Sequence, residues 1–148
     1  MRKILMTALA VIVALSAAPL SAQVAGTWMG EGKGVCSPPP FWPTDIPIYA
    51  WQKWTGEIPD SEDSFKGSWH DETGKFGHFS GKIIAESLTE VYCEGKWTWV
   101  YGPDTDPPQE YVMGPFKMWF HKEKLICHGE WSTSYSNEGG KMWGGMVD

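Results

Sequence analysis

The stretch "FKGSWHDETGKFGHFSGKI", residues 65–83, decides the fold. Taken in alternation, Phe65, Gly67 and Trp69 fall on one side, and Lys66, Ser68 and His70 on the other. A period of two with one apolar face marks a half-buried strand. The pattern returns in Phe79, Gly81, Ile83 and Ala85 against Ser80, Lys82 and Glu86. Between the two, "DETGKFG" supplies turn residues, with Gly74 free to take a positive φ. The stretch is a β-hairpin.

The unit x-Gly-x-(Trp/Ile) occurs again in TGEI at 55–58, EGKW at 94–97 and HGEW at 128–131. Gly56, Gly67, Gly81 and Gly95 follow one another at intervals of 11, 14 and 14 residues, a spacing that suits an antiparallel meander. No helical segment separates the strands, which favours an antiparallel over a parallel sheet. Each glycine shares the apolar face with large rings. Having no side chain, it leaves space for a neighbouring strand's aromatic and lets the strand coil sharply. Gly-x-Trp is thus a packing code before it is a ligand code.

Eight strands are expected at 24–33, 50–58, 64–71, 76–86, 90–101, 111–121, 124–135 and 140–147. The fold class is all-β, a single antiparallel up-and-down meander closing into an eight-stranded barrel, which removes both exposed edges. An open β-sandwich of the same strands is the alternative. Phe65, Trp69, Phe79, Ile83, Trp97, Trp99 and Trp131 are the expected core.

At the N-terminus, Arg2 and Lys3 precede an apolar run from Ile4 to Leu15, and Pro19 and Leu20-Ser21-Ala22 follow. This order marks a cleaved signal peptide over 1–22. The run of about 12 residues is short of the ~20 that a spanning helix needs. The expected mature chain is one β domain, 23–148, exported to the periplasm or outside the cell, with no membrane insertion after cleavage. Losing Arg2 and Lys3 from 12 basic and 18 acidic residues leaves 10 against 18, a net charge of −8. That balance disfavours nucleic acid, whose phosphates need a basic surface.

"GTW" at 26–28, opening the first strand, resembles the Gly-x-Trp signature at the start of lipocalins and avidins. The resemblance implies an eight-stranded barrel that binds a small molecule in its lumen. No ligand residues carry over from it. Phe65-Lys66-Gly67-Ser68-Trp69, and in part Phe79-Ser80-Gly81-Lys82-Ile83, is similar to the aromatic-x-Gly-x-Trp strand of MORN repeats.

Residues that carry chemistry are sparse. His70 and His78 flank the hairpin turn beside Asp71 and Glu72, and solvated positions are a plainer reading than a metal site. Met113, Met118, Met142 and Met146 with Trp119 and His121 hold soft ligands, but core packing accounts for them better. Glu57, Asp60, Glu62 and Asp63 match no calcium-loop spacing. No catalytic residues, metal or cofactor are expected, and the protein is read as a non-enzyme.

The functional lead is aromatic. Phe41, Trp42, Tyr49, Trp51 and Trp54 lie in and just after "CSPPPFWPTDIPIY", 36–49, a loop with five prolines. Loops on a barrel rim carry function, and exposed aromatic clusters mark binding sites. The expected partner is a glycan or a small hydrophobic ligand. The alternative is a structural or envelope-associated interaction protein, for which self-association is expected. Three cysteines remain, an odd count that suggests one bridge and one thiol. Cys36 is expected to pair with Cys127 in preference to Cys93, because closure brings the last strands beside the first.

Overall fold

The computed structural model describes residues 23–43 and 45–147. The segment expected to be a signal peptide, 1–22, lies outside the described residues. Eight strands follow in chain order: β1 (Gly26–Gly34), β2 (Lys53–Ile58), β3 (Ser64–His70), β4 (Phe76–Glu86), β5 (Glu90–Gly102), β6 (Gln109–His121), β7 (Ile126–Ser132) and β8 (Gly139–Val147). Each pairs antiparallel with the next, and β8 returns to β1 from Thr27–Val147 to Gly34–Gly140, closing the barrel. The open sandwich is therefore excluded. Closure leaves no edge strand to template aggregation.

The registers show what the glycines do. One row around the wall runs Trp28, Gly56, Gly67, Phe79, Trp97, Gly114. The next runs Phe65, Gly81, Gly95, Phe116, Trp131, Gly140. Rings and glycines share each inward row, so a ring from one strand lies over the bare backbone of others. A Cβ on Gly67 would stand 2.7 Å from Phe79 Cζ, and one on Gly95 would stand 2.6 Å from Phe116 Cε1. Both are too close for real atoms, so only glycine admits these rings.

Trp28, Trp54, Phe65, Trp69, Phe79, Trp97, Phe116, Phe120 and Trp131 fill the lumen, as do Met113, Met118 and Met142. Trp28 Nε1 donates to Val24 O, Trp54 to Glu31 O, Trp69 to Thr98 O and Trp97 to Ser132 O. Most buried indoles find such a partner, and among the described residues Trp51 and Trp131 are the exceptions. Of the expected core, all but Ile83 is buried, and Ile83 is half-buried beside the β4 bulge. The outer wall carries the charges: Lys82, Glu94, Lys117, Glu130, Lys141 and Lys33 form one register row. Among the described residues, no helix is long and apolar enough to cross a membrane.

The cysteine expectation needs correcting. Cys36, Cys93 and Cys127 are all buried free thiols. The row of Cys127 passes through Gly144 and meets β1 at Gly30, whereas Cys36 lies beyond the end of β1 at Gly34. Four strand residues span about 13 Å, well past the ~7 Å between Cα atoms that a disulfide tolerates. Closure also leaves β8 between β7 and β1, so Cys127 stands two strands, about 10 Å, from β1 as well as at a different height. Cys36 instead exchanges backbone hydrogen bonds with Ile48, at 2.9 and 2.8 Å.

Candidate functional site

The five aromatics of the proline-rich region separate into two groups. Trp51 and Trp54 turn inward, with exposures of 0% and 2%. Trp51 takes φ 62° and stacks on Phe79 in the lumen, close to Phe116. Trp54 alternates inward on β2 and meets Phe65 edge-on. The expectation that these two join the exposed cluster is thus corrected. Strand parity fixes Trp54, and a left-handed backbone turn carries Trp51 into the barrel.

Phe41 and Trp42 stay at the rim. Phe41 is 67% exposed and meets Tyr111 edge-on at 5.5 Å. Trp42 is half-buried, held by Tyr101 at 4.2 Å and Trp99 at 5.3 Å between centroids. Tyr49 lies elsewhere: its N–H donates to Asp71 Oδ2, beside the β3–β4 turn.

Trp42 forms one wall of a cleft of about 380 Å³. Pro38, Pro39, Pro40 and Pro43 stiffen that side, and Tyr135, Ser136 and Glu138 from the β7–β8 turn face them, with Asp45 also on the lining. Ser37 ties the two sides together: its N–H donates to Glu138 Oε2 at 3.0 Å, and Tyr135 Oη donates to its carbonyl. Ser136 Oγ donates to Glu138 Oε1 at 2.9 Å. Beneath the cleft, burial foremost, and then the charge of Glu138, pushes the Cys36 thiol up to about 12. A thiol held that high is almost wholly protonated, and so a weak nucleophile, at neutral pH.

Sequence reasoning missed Tyr135, Ser136, Glu138 and Asp45. One signal was present: Tyr135 is the lone aromatic in the polar turn "STSYSNE", 132–138.

A second polar cluster lies on the outer wall. His78 Nδ1 is 2.8 Å from Glu110 Oε1, and Thr98 Oγ1 donates to the same carboxylate oxygen. The Thr98 hydrogen bond, and then His78, holds Glu110 below the usual carboxylate range. Hydroxyl and imidazole both address the acid rather than each other, so the hydroxyl is not activated as a nucleophile. His70 pairs across the sheet with Phe76, whereas His78 pairs with Ser68, two register positions away. Among the described residues, no group of three or more His, Cys, Asp or Glu could hold a metal ion.

No family model, curated protein or solved structure matches this chain.

Proposed function

We propose that this is an exported, non-catalytic binding protein that holds a carbohydrate in the cleft between Trp42 and the β7–β8 turn. The observation that carries the reading is the make-up of that cleft. One side offers an aromatic ring braced by Trp99 and Tyr101, and the other the oxygens of Tyr135, Ser136 and Glu138. The two hydroxyl protons are used within the protein, but the lone pairs can accept from sugar hydroxyls. Sugars present an apolar face and a rim of hydroxyls, and so use both walls. A purely hydrophobic ligand would desolvate the carboxylates without replacing their hydrogen bonds. Lumen binding, which the likeness to lipocalins and avidins implies, finds the space occupied by Trp28, Trp51, Phe79 and Phe116. Stiff prolines lower the ordering cost on binding.

The test is retention on immobilised polysaccharides, followed by oligosaccharide titration monitored by tryptophan fluorescence. Retention that Trp42→Ala abolishes, with far-UV circular dichroism unchanged, supports the reading. Binding of an apolar dye at the same cleft, with no sugar retained, would replace carbohydrate with a hydrophobic ligand. Sugar binding that survives Trp42→Ala removes the cleft from the proposal.

A further inference from the structure

The outer wall of β5–β8 carries two adjacent rows that the cleft does not use. The first is aromatic: Tyr92 pairs with Trp119, Trp119 with His128, and His128 with Trp143. Tyr92 stacks on Trp119 at 5.0 Å, and Trp119 on His128 at 5.4 Å with planes 11° apart. Trp143 is 43% exposed, and Ile126 on the neighbouring strand is 52% exposed. The second row, two residues along each strand, is the central four of the charged row, Glu94, Lys117, Glu130 and Lys141, with Lys82 on β4 and Lys33 on β1 beyond its ends. All four are exposed. Its signs alternate, yet among the described residues none of the four forms an ion pair.

This wall suits a protein surface better than a carbohydrate. A sugar needs a free ring face, and the central ring, Trp119, has both faces covered, by Tyr92 and by His128. Ring edges beside apolar side chains and unpaired charges suit a protein surface.

The order of the charges identifies the protein. Glu–Lys–Glu–Lys read backwards is Lys–Glu–Lys–Glu. A twofold axis parallel to the strands, between β6 and β7, lays the row on its own reverse. Lys117 then faces Glu130 of the second copy, Glu130 faces its Lys117, and the outer Glu94 and Lys141 oppose Lys141 and Glu94. The same axis sets Trp119 against His128 of the second copy. Closed twofold interfaces require this self-complementarity, residue i meeting j and j meeting i. A barrel wall is convex, so β6 and β7 make the close contact, and the long Glu94 and Lys141 side chains reach in from the flanks. A depression of about 340 Å³ bordered by Lys117, Glu130 and Lys141 gives incoming side chains room. We infer that this wall is a homodimer interface, with a second copy of the chain as its occupant. The inference is independent of the carbohydrate reading.

Charge exchange tests it on protein exported from cells expressing the full chain, by sedimentation velocity over a concentration series. The wild type is expected to dimerise, more weakly at high salt. Lys117→Glu sets like charges face to face and should raise the dimer dissociation constant by about tenfold or more. Lys117→Glu with Glu130→Lys should return it to within about threefold of wild type. The double exchange is the decisive arm. It places like charges side by side within each chain, Glu94 with residue 117 and residue 130 with Lys141, and restores only the pairing between copies. A double variant as weak as the single one overturns the inference, because a stability effect or a different partner protein would give that result. A wild type that stays monomeric at about 100 μM overturns it as well.

Discussion

Trp51 lies nearly flat on Phe79, ring centroids 4.4 Å apart and planes 20° from parallel. The backbone of Trp51 takes φ 62°, unusual for a bulky residue, and its indole N–H has no protein partner. A loop residue thus enters the lumen at a local cost that ring packing offsets.

Trp51 therefore gives a two-variant prediction. Trp51→Ala loses the ring and keeps the strained φ, and should cost about 3–5 kcal/mol. Trp51→Gly loses the same ring but accepts the backbone, and should be the less damaging by about 1 kcal/mol. Urea denaturation of both measures the difference. Equal losses would show that the left-handed turn carries no strain.

Glycine positions divide by what surrounds them. A Cβ on Gly67 would meet Gly56 Cα at 2.6 Å and Phe79 at 2.7 Å, whereas nothing lies within 4 Å of one on Gly74. Gly67→Ala forces backbone apart and should cost more than about 3 kcal/mol or prevent folding. Gly74, at φ 89°, bears only a conformational penalty, so Gly74→Ala should cost about 1–2 kcal/mol. Thermal midpoints of the two variants provide the comparison.

The buried thiols should make the fold sensitive to alkali. Burial pushes Cys36, Cys93 and Cys127 up from 9.0 to about 12. Between those values the unfolded chain releases the protons and the folded chain keeps them. Stability is then full below pH 9 and falls as pH rises toward 12. The urea midpoint should drop from pH 8 to pH 10, and less so in Cys93→Val. In the native state at pH 8 a thiol reagent should label none of the three, and in denaturant all three. Rapid native labelling would contradict the burial.

Glu110 gives the opposite sign. Its carboxyl is held down first by Thr98 and then by His78. Its contribution is present above the unfolded carboxyl's range and fades as pH falls through the folded value. The pair is partly exposed, so Glu110→Gln should cost no more than about 1 kcal/mol at pH 7. Thr98→Ala should move the Glu110 titration, followed by NMR, upward toward 4.5. A larger upward shift in His78→Ala would reverse the order of the two causes.

Alternation and turn residues by themselves determined the strands. The expected 64–71 and 76–86 became Ser64–His70 and Phe76–Glu86, and the repeated Gly-x-Trp placed the rings inward. Period-two patterning is local, so a sequence displays it directly. Which connection residues turn inward is not local. Trp51 falls within the expected strand 50–58, but β2 begins only at Lys53, and one left-handed turn and stacking on Phe79 place its ring. Tyr135 and Glu138 met Trp42 only because β8 closed against β1 and brought the β7–β8 turn beside the proline loop. The height of Cys127 above or below Cys36 depended on the register of that closure. A register follows from packing around the whole barrel, and no single strand's sequence contains it.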